Sequence, residues 1–459
     1  MATRRGALAL LWSLAFAMML CGPAQAHVSE RALVLLLPTE IYIRSGVVAV
    51  ALTVVLLFLI PPSAFRVLFR SFPLFSAPKL GLSGVISLLS MALLFAVIYA
   101  GFAGSRDPLA NPLPLLIWTF WWILMPVVSA VFGDVWRALN PWSGLYGLLR
   151  LKPLLSMPAP SFAAPVILLL FSLFVVTDIA PDDPDRLAVV VLSYWGFTFA
   201  MMVLFGTAWL RDCEPFTIYF AQIAKLSPIS GGPRLEISTP GTRLIRANGS
   251  LTLAVLIIVA LGAGSFDGFN ETFFWLAQIG VNPLEFPGRS AVALPNAVGL
   301  CLAVGLLFLT ICFCMIFGLR LVGGTHLFGS LFPRLTLSLL PIALGYHIAH
   351  YLTSFMVGVQ YGLKAASDPM STGQDLLGIG QTYVTTSFFN VPSTVEAIWL
   401  TQAAAIVIGH ILAVLIAHAI ALDAFKDHKK ATISQLPVTA FMVAYTFFGL
   451  WILAQPTGA

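Results

Sequence analysis

Ten long runs of apolar residues follow one another along this chain of 459 residues, and they constrain its fold more than any other feature. A helix needs about 20 apolar residues to cross roughly 30 Å of hydrocarbon, and within lipid a helix satisfies its own backbone polar groups. We therefore predict an all-α fold, a polytopic integral membrane helical bundle of about ten transmembrane helices. The sixth run is short enough to be broken. The predicted spans are 41–60, 82–102, 113–132, 164–180, 187–210, 251–264, 294–319, 335–362, 395–422 and 436–455.

The low content of charged residues supports the same class. Hydrophobic residues make up 59% of the chain and charged residues 9%, against roughly 25% charged in soluble domains. The net charge of +5 does not indicate nucleic-acid binding, because the basic residues of a membrane protein concentrate in its cytoplasmic loops. We expect the lipid bilayer as the main partner and no nucleic-acid partner.

The first 26 residues have the three regions of a signal peptide. Arg4 and Arg5 give the positive start, residues 7–20 are apolar, and the small Ala26 suits a leader peptidase. We predict cleavage after Ala26. A cleaved leader places the new N-terminus outside the cytoplasm.

The distribution of basic residues predicts the same orientation. With the mature N-terminus outside, the loops assigned to the cytoplasm hold 16 Lys and Arg residues and the opposite loops hold five. That asymmetry follows the positive-inside rule. We therefore predict that residues 27–459 form a single transmembrane helical domain in the inner membrane, with the mature N-terminus on the periplasmic side.

Histidines are the candidate metal ligands. His27 would be the first mature residue, where its amine and imidazole together can chelate copper or zinc. His347 and His350 lie three residues apart on one span, so both can face one site, and His410 and His418 lie on the next. Imidazoles meeting there would suit a divalent metal, namely zinc, manganese or copper.

Two other interpretations of these histidines stay open. Each imidazole can instead hydrogen-bond a carbonyl of a neighbouring helix and stabilise the bundle. A haem held between His347 and His410 is the less favoured cofactor, because His350 lies too close to His347 to ligate a second macrocycle.

Three aspartates in predicted outer loops are candidate catalytic groups. Asp267 lies in Ser-Phe-Asp-Gly-Phe after the sixth span, and Asp368 and Asp375 lie in a Gly-rich loop after the eighth. Asp-Pro and Gly also mark ordinary turns. These aspartates lie on the same side as His27, so an outward-facing site can draw on them.

Several short motifs, taken in order, resemble a bacterial family of polytopic membrane proteins named fenitrothion hydrolase. The resemblance covers nearly the whole mature chain. It departs where Ala419 follows His418 and Gln374 precedes Asp375, positions at which the family pattern has Asp and Trp. The motifs are His27-Val28-Ser29-Glu30-Arg31, Leu36-Leu37-Pro38-Thr39, Asp134-Val135-Trp136-Arg137, Asn140-Pro141-Trp142, Phe266-Asp267-Gly268, His350-Tyr351 and Ser367-Asp368-Pro369.

The resemblance implies hydrolysis of organophosphorus compounds such as aryl phosphotriesters. A divalent metal held by the histidines could activate water, an aspartate could act as ligand or base, and an apolar small molecule could enter from the bilayer. Two alternatives stay open. The chain could be a transport or copper-handling protein that uses its intramembrane histidines, or an accessory subunit that binds partner helices of a membrane complex.

Overall fold

The computed structural model describes residues 37–75, 81–157, 161–230, 235–285, 288–380 and 382–457. Within these ranges the chain is an all-α, polytopic membrane helical bundle, as predicted, with nine helices long and apolar enough to cross a membrane. The remaining predicted span is a shorter apolar helix of 15 residues, Ala163–Thr177. The predicted leader and His27 lie outside the described residues.

The first half of the chain holds five of the predicted spans and most of the short elements. The third span is one continuous segment, Pro112–Phe132, whose middle, Leu115–Leu124, is π-helical. In order the elements are α1 (Thr39–Leu59), α2 (Pro62–Leu68), β1 (Ser71–Pro73), α3 (Ser83–Ala103), α4 (Pro112–Phe132), α5 (Trp136–Leu139), α6 (Ser143–Leu148), α7 (Ala163–Thr177), α8 (Pro184–Phe205), α9 (Ala208–Asp212), α10 (Pro215–Ile223), β2 (Ile229–Ser230), β3 (Glu236–Ser238) and α11 (Thr242–Ile245).

The second half is built from longer helices. Short 3₁₀ turns join them at Pro283–Glu285, Thr325–Leu327, Leu337–Leu339 and Ser387–Asn390, and another, Ala224–Leu226, follows α10. The helices are α12 (Leu251–Asn270), α13 (Phe273–Gln278), α14 (Arg289–Leu321), α15 (Phe328–Thr336), α16 (Leu340–Ser367), α17 (Pro392–Phe425) and α18 (His428–Ala454).

The sixth span differs from its prediction. It is not short or broken at 251–264 but continues as α12 for 20 residues, to Asn270. Ser250 caps its first turn by accepting the Leu253 N–H. Asp267 therefore lies in the last turn of a transmembrane helix rather than in an outer loop. Polar residues can extend this helix because other helices supply their partners, as Tyr445 does for the Ser265 hydroxyl.

Three helical segments form the centre of the bundle. The apolar windows of α12, of α15 with α16, and of α17 are each 61% buried, whereas that of α1 is 17% buried. α16 packs along α17, and α17 along α18, while α12 packs on α7 and α14. The outer helices expose much of their apolar surface, as contact with lipid requires, whereas these three helices bury much of theirs. Several of their polar residues are therefore inside the protein, among them Ser265, His347 and Gln402.

A small antiparallel sheet lies on the predicted cytoplasmic side. Its strand order is β1-β3-β2, with Ser71 opposite Ser238 and Ile229 opposite Ile237. The sheet joins the segment after α2 to the segment between α10 and α11. It is the whole strand content of the described residues apart from one isolated bridge, Thr272 to Thr457.

Glycines set the distance between α16 and α17. A Cβ on Gly345 would lie 2.5 Å from the Ala405 carbonyl oxygen, and a Cβ on Gly409 would lie 2.5 Å from the Pro341 carbonyl oxygen. Each helix thus presents a glycine to the backbone of the other. Small residues at helix interfaces allow this close approach within membranes.

We expect Gly345→Val to lower the free energy of unfolding by about 1–3 kcal/mol, because the added carbons overpack the α16–α17 contact. Gly305→Val is the matched control, since a Cβ on Gly305 of α14 meets no atom within 4 Å. Thermal unfolding of the purified variants in one detergent measures the difference. Equal midpoints for the two variants would contradict the packing argument.

Candidate functional site

A cavity of about 770 Å³ lies inside the helical bundle. Residues of α4, α12, α14, α16, α17 and α18 line it, and it extends to the face that carries Asp182, Pro283 and Gln455. That face is the predicted outer one. We call this space the main cavity; its volume is in the range of small-molecule binding sites, roughly 300–1,000 Å³.

A carboxylate, an imidazole and a phenol meet in the wall of the main cavity. The His350 Nε2 atom lies 3.1 Å from Asp267 Oδ2, and the Tyr351 hydroxyl donates a hydrogen bond of 2.6 Å to the same oxygen. The Asp267 and His350 side chains are 16% and 22% exposed. We call these two residues the Asp267–His350 pair. Charged groups inside a membrane protein are costly and mark functional sites by default.

Gly268 gives the His350 ring room beside α12. A Cβ at position 268 would lie 3.3 Å from His350 Nδ1, closer than an ordinary contact. The sequence Asp267-Gly268 therefore supplies both the carboxylate and the space for the ring that it binds. The sequence suggests Gly268 as a turn residue, but in the structure it lies within α12.

The geometry of the pair defines what the imidazole can do. A neutral imidazole carries one N–H and one lone pair, and the tautomer follows from its hydrogen-bond partner. Asp267 accepts from Nε2, so the neutral ring carries its N–H on Nε2 and its lone pair on Nδ1. A carboxylate that orients an imidazole in this way stabilises the imidazolium formed after proton transfer. The pair is therefore equipped for general acid–base chemistry.

His347 lies one turn before His350 and binds a different partner. Its Nε2 donates to the carbonyl oxygen of Ile123 at 3.1 Å, and its ring contacts those of Trp122 and Tyr351. Ile123 belongs to the π-helical part of α4. Such segments recur at functional sites. His347 joins α16 to α4, as expected for a histidine that stabilises the bundle.

The other two intramembrane histidines have separate surroundings. His410 bonds through Nδ1 to the Ile406 carbonyl of its own helix, 2.9 Å away. His418 packs against Phe65 and His428. His410 and His418 thus lie apart from His350, whereas His347 shares with His350 the contact to the Tyr351 ring.

Potential metal ligands are few around the pair. Across the described ranges, no three or more His, Cys, Asp or Glu side chains are grouped so that they could hold a metal ion. The Asp267–His350 pair supplies two donors, fewer than the three protein ligands of a catalytic zinc site. His27 lies outside the described residues. Zinc, manganese or copper binding at the predicted residues stays a prediction.

The other two predicted catalytic aspartates organise their own loop. Asp368 accepts the N–H groups of Thr372 and Gly373, and Asp375 accepts those of Ile379 and Gly380. The Thr372 N–H lowers the pKa of Asp368, and the Ser367 hydroxyl lowers that of Asp375. Neither lines the main cavity. These contacts are those of turn residues, and they do not bring either carboxylate to Asp267.

Gln402 and Asn296 of the cavity wall were not singled out by sequence reasoning, and Tyr351 entered it only through the motif His350-Tyr351. Gln402 donates to the Ala349 carbonyl at 2.7 Å, and Asn296 accepts from Trp275 Nε1 at 2.8 Å. Tyr351 completes the Asp267 contacts. Each of the three is a polar residue within an apolar span, the same signal that drew attention to the histidines.

Comparison with known proteins finds no match among family models, curated proteins or solved structures.

We expect Tyr351→Phe to destabilise the site, because a hydrogen bond to a charged group is worth about 1.5–3 kcal/mol. Tyr99→Phe is the matched control, since Tyr99 is 65% exposed on α3. Thermal unfolding of both variants and the wild type in detergent measures the effect. A Tyr351→Phe midpoint equal to that of Tyr99→Phe would argue against a structural role for the hydroxyl.

Proposed function

We propose that this protein is a membrane-integral hydrolase that cleaves an uncharged, partly apolar ester, such as an aryl phosphotriester, in the main cavity. The observation that carries the proposal is the hydrogen-bonded Asp267–His350 pair in the wall of a cavity of about 770 Å³. The sequence resemblance to fenitrothion hydrolases suggests the substrate class. A site within the membrane domain also suits a substrate that partitions into lipid.

The proposed reaction needs one proton acceptor beside the attacking water. His350 takes a proton from the water while the water oxygen forms a bond to phosphorus. The bond from phosphorus to the aryl oxygen breaks, and the aryloxide leaves with the electron pair. Asp267 stabilises the imidazolium, which then gives its proton to the leaving group or to solvent, and Tyr351 positions the Asp267 carboxylate.

The metal expected from the sequence is a separate part of this proposal. Asp267 and His350 could each give one ligand atom, and the described residues give no third from His, Cys, Asp or Glu. The acid–base mechanism above is therefore derived without a metal. Treatment with a chelator distinguishes the two versions.

We expect Asp267→Asn and His350→Gln to lower kcat about 10²- to 10⁴-fold, the usual contribution of general acid–base catalysis. Purified full-length protein in liposomes is assayed with a chromogenic aryl phosphotriester, before and after chelator treatment. Asp107→Asn and His326→Gln are the controls, since both lie at exposed positions outside the main cavity. Wild-type turnover in both site variants would overturn the mechanism, and no turnover by the wild type would overturn the substrate class.

One observation favours transport as a second candidate. Asp267, His350 and Tyr351 also line a smaller cavity of about 40 Å³, which His347 and Tyr219 help to line. It is large enough for water, which needs roughly 10–15 Å³. The Asp267–His350 pair thus lines two cavities, and a titratable pair with access to both would suit a proton-coupled transporter. Proton uptake by liposomes that depends on Asp267, without ester turnover, would favour transport over hydrolysis.

We further propose that the main cavity opens on the periplasmic side of an inner membrane, as the basic residues and the leader indicate. Ser371→Cys should then react with a membrane-impermeant maleimide in intact spheroplasts, and Ser330→Cys only after lysis. Both serines are exposed, on opposite predicted faces. The wild type, which has its own cysteines, gives the background. The reverse labelling pattern would invert the orientation.

A further inference from the structure

Two histidines lie ring against ring at the end of the bundle opposite the main cavity. His418 of α17 and His428 of α18 have ring centroids 5.7 Å apart, with an angle of 88° between the ring planes. Neither residue lines the main cavity. The pair therefore belongs to no part of the site described above.

The turn between α17 and α18 places these rings. Lys426 adopts the left-handed conformation with φ of 52°, and Asp427 caps α18 by accepting the N–H groups of Lys429 and Lys430. His428 is therefore the first residue of α18 and directly follows the N-cap residue Asp427. His418 lies about two turns before the end of α17 and is 1% exposed.

Both rings carry a buried nitrogen without a partner. His418 Nε2 and His428 Nδ1 are shielded from solvent and make no hydrogen bond to any described residue. Leaving a buried polar atom unsatisfied costs about 1–3 kcal/mol, so such atoms are rare unless a ligand or water satisfies them. Two of them on adjacent rings indicate a shared ligand.

The spacing of the rings fits a metal ion between two imidazoles. Metal–imidazole nitrogen distances are about 2.0 Å, so two rings that bind one ion from opposite sides have centroids about 6 Å apart. A direct hydrogen bond between the two nitrogens is not made in the structure. The observed 5.7 Å is close to the separation that a bridging ion needs.

The number of protein ligands at this site favours Cu(I) over zinc. In the described part of the chain, no third His, Cys, Asp or Glu joins this pair to make a larger metal-binding group. Zinc takes three or four protein ligands, whereas Cu(I) is stable with two nitrogens in a linear arrangement. A single charge is also less costly to bury than a double one, and the Phe65 ring covers His418 at 4.9 Å.

We propose that His418 and His428 form a two-coordinate site for Cu(I) at the predicted cytoplasmic end of α17 and α18. The site is independent of the main cavity and of the hydrolase function proposed for it. It would give the chain a soft-metal site besides any at the cavity.

The test measures the Cu(I) equivalents bound by full-length protein in detergent, under anaerobic reducing conditions, in competition with bicinchoninate. We expect His418→Gln and His428→Gln each to lose one equivalent relative to the wild type. His326→Gln, a change at an exposed histidine on the same predicted face, should keep the full number. X-ray absorption of the loaded His326→Gln protein should include a two-nitrogen copper site.

The difference in Cu(I) stoichiometry between the wild type and each variant distinguishes this site from any other copper site. Only the equivalent that is lost on replacing His418 or His428 is assigned to it. Thermal unfolding checks that each variant is folded. If His418→Gln does not fold, His428→Gln decides alone, since His428 is only partly buried. Unchanged Cu(I) stoichiometry in folded His428→Gln, or no Cu(I) binding by the wild type, would overturn the proposal.

Discussion

The close contact of α16 with α17 is the interaction on which the rest of the interior depends. Gly345 and Gly409 allow each helix to approach the backbone of the other, at Ala405 and Pro341. Within lipid the hydrophobic effect does not drive helices together, because lipid tails are as apolar as the side chains. Close van der Waals packing of this kind therefore holds membrane helices together. α16 carries His347, His350 and Tyr351, and α17 carries Gln402, so the contact sets where these polar groups lie.

Asp267 then connects α12 to this central pair of helices. A buried carboxylate is stable only with partners, and His350 and Tyr351 both bind its Oδ2 atom. The same contacts give the His350 ring a defined tautomer. The interaction that makes the aspartate tolerable within the bundle is thus also the one that equips the imidazole for proton transfer.

The sequence predicted the membrane class and most span boundaries within a few residues, because hydropathy and the length of a helix across the bilayer are local properties. Of the ten predicted spans, nine are long enough to cross a membrane in the described part of the chain, and the fourth is the shorter helix Ala163–Thr177. The sequence also singled out Asp267 and His350, though it placed Asp267 in an outer loop and did not predict their contact. The extension of α12 to Asn270 was missed because Ser265 and Asp267 look like loop residues until the helices that satisfy them are in place. Residues His347 and His410 could not be assigned partners from spacing alone, since helix rotation and neighbour identity come from tertiary packing.

By itself the sequence determined that the chain is a bundle of apolar helices, and its basic residues and predicted leader favour one orientation. Both follow from the free energy of transferring side chains between water and lipid, which depends on composition along the chain. Only the tertiary structure decided that Asp267 meets His350 and Tyr351, that His410 and His418 lie apart from His350, and that His418 lies beside His428. Those pairings depend on which faces of distant helices pack together, and periodicity within one helix does not specify its neighbours.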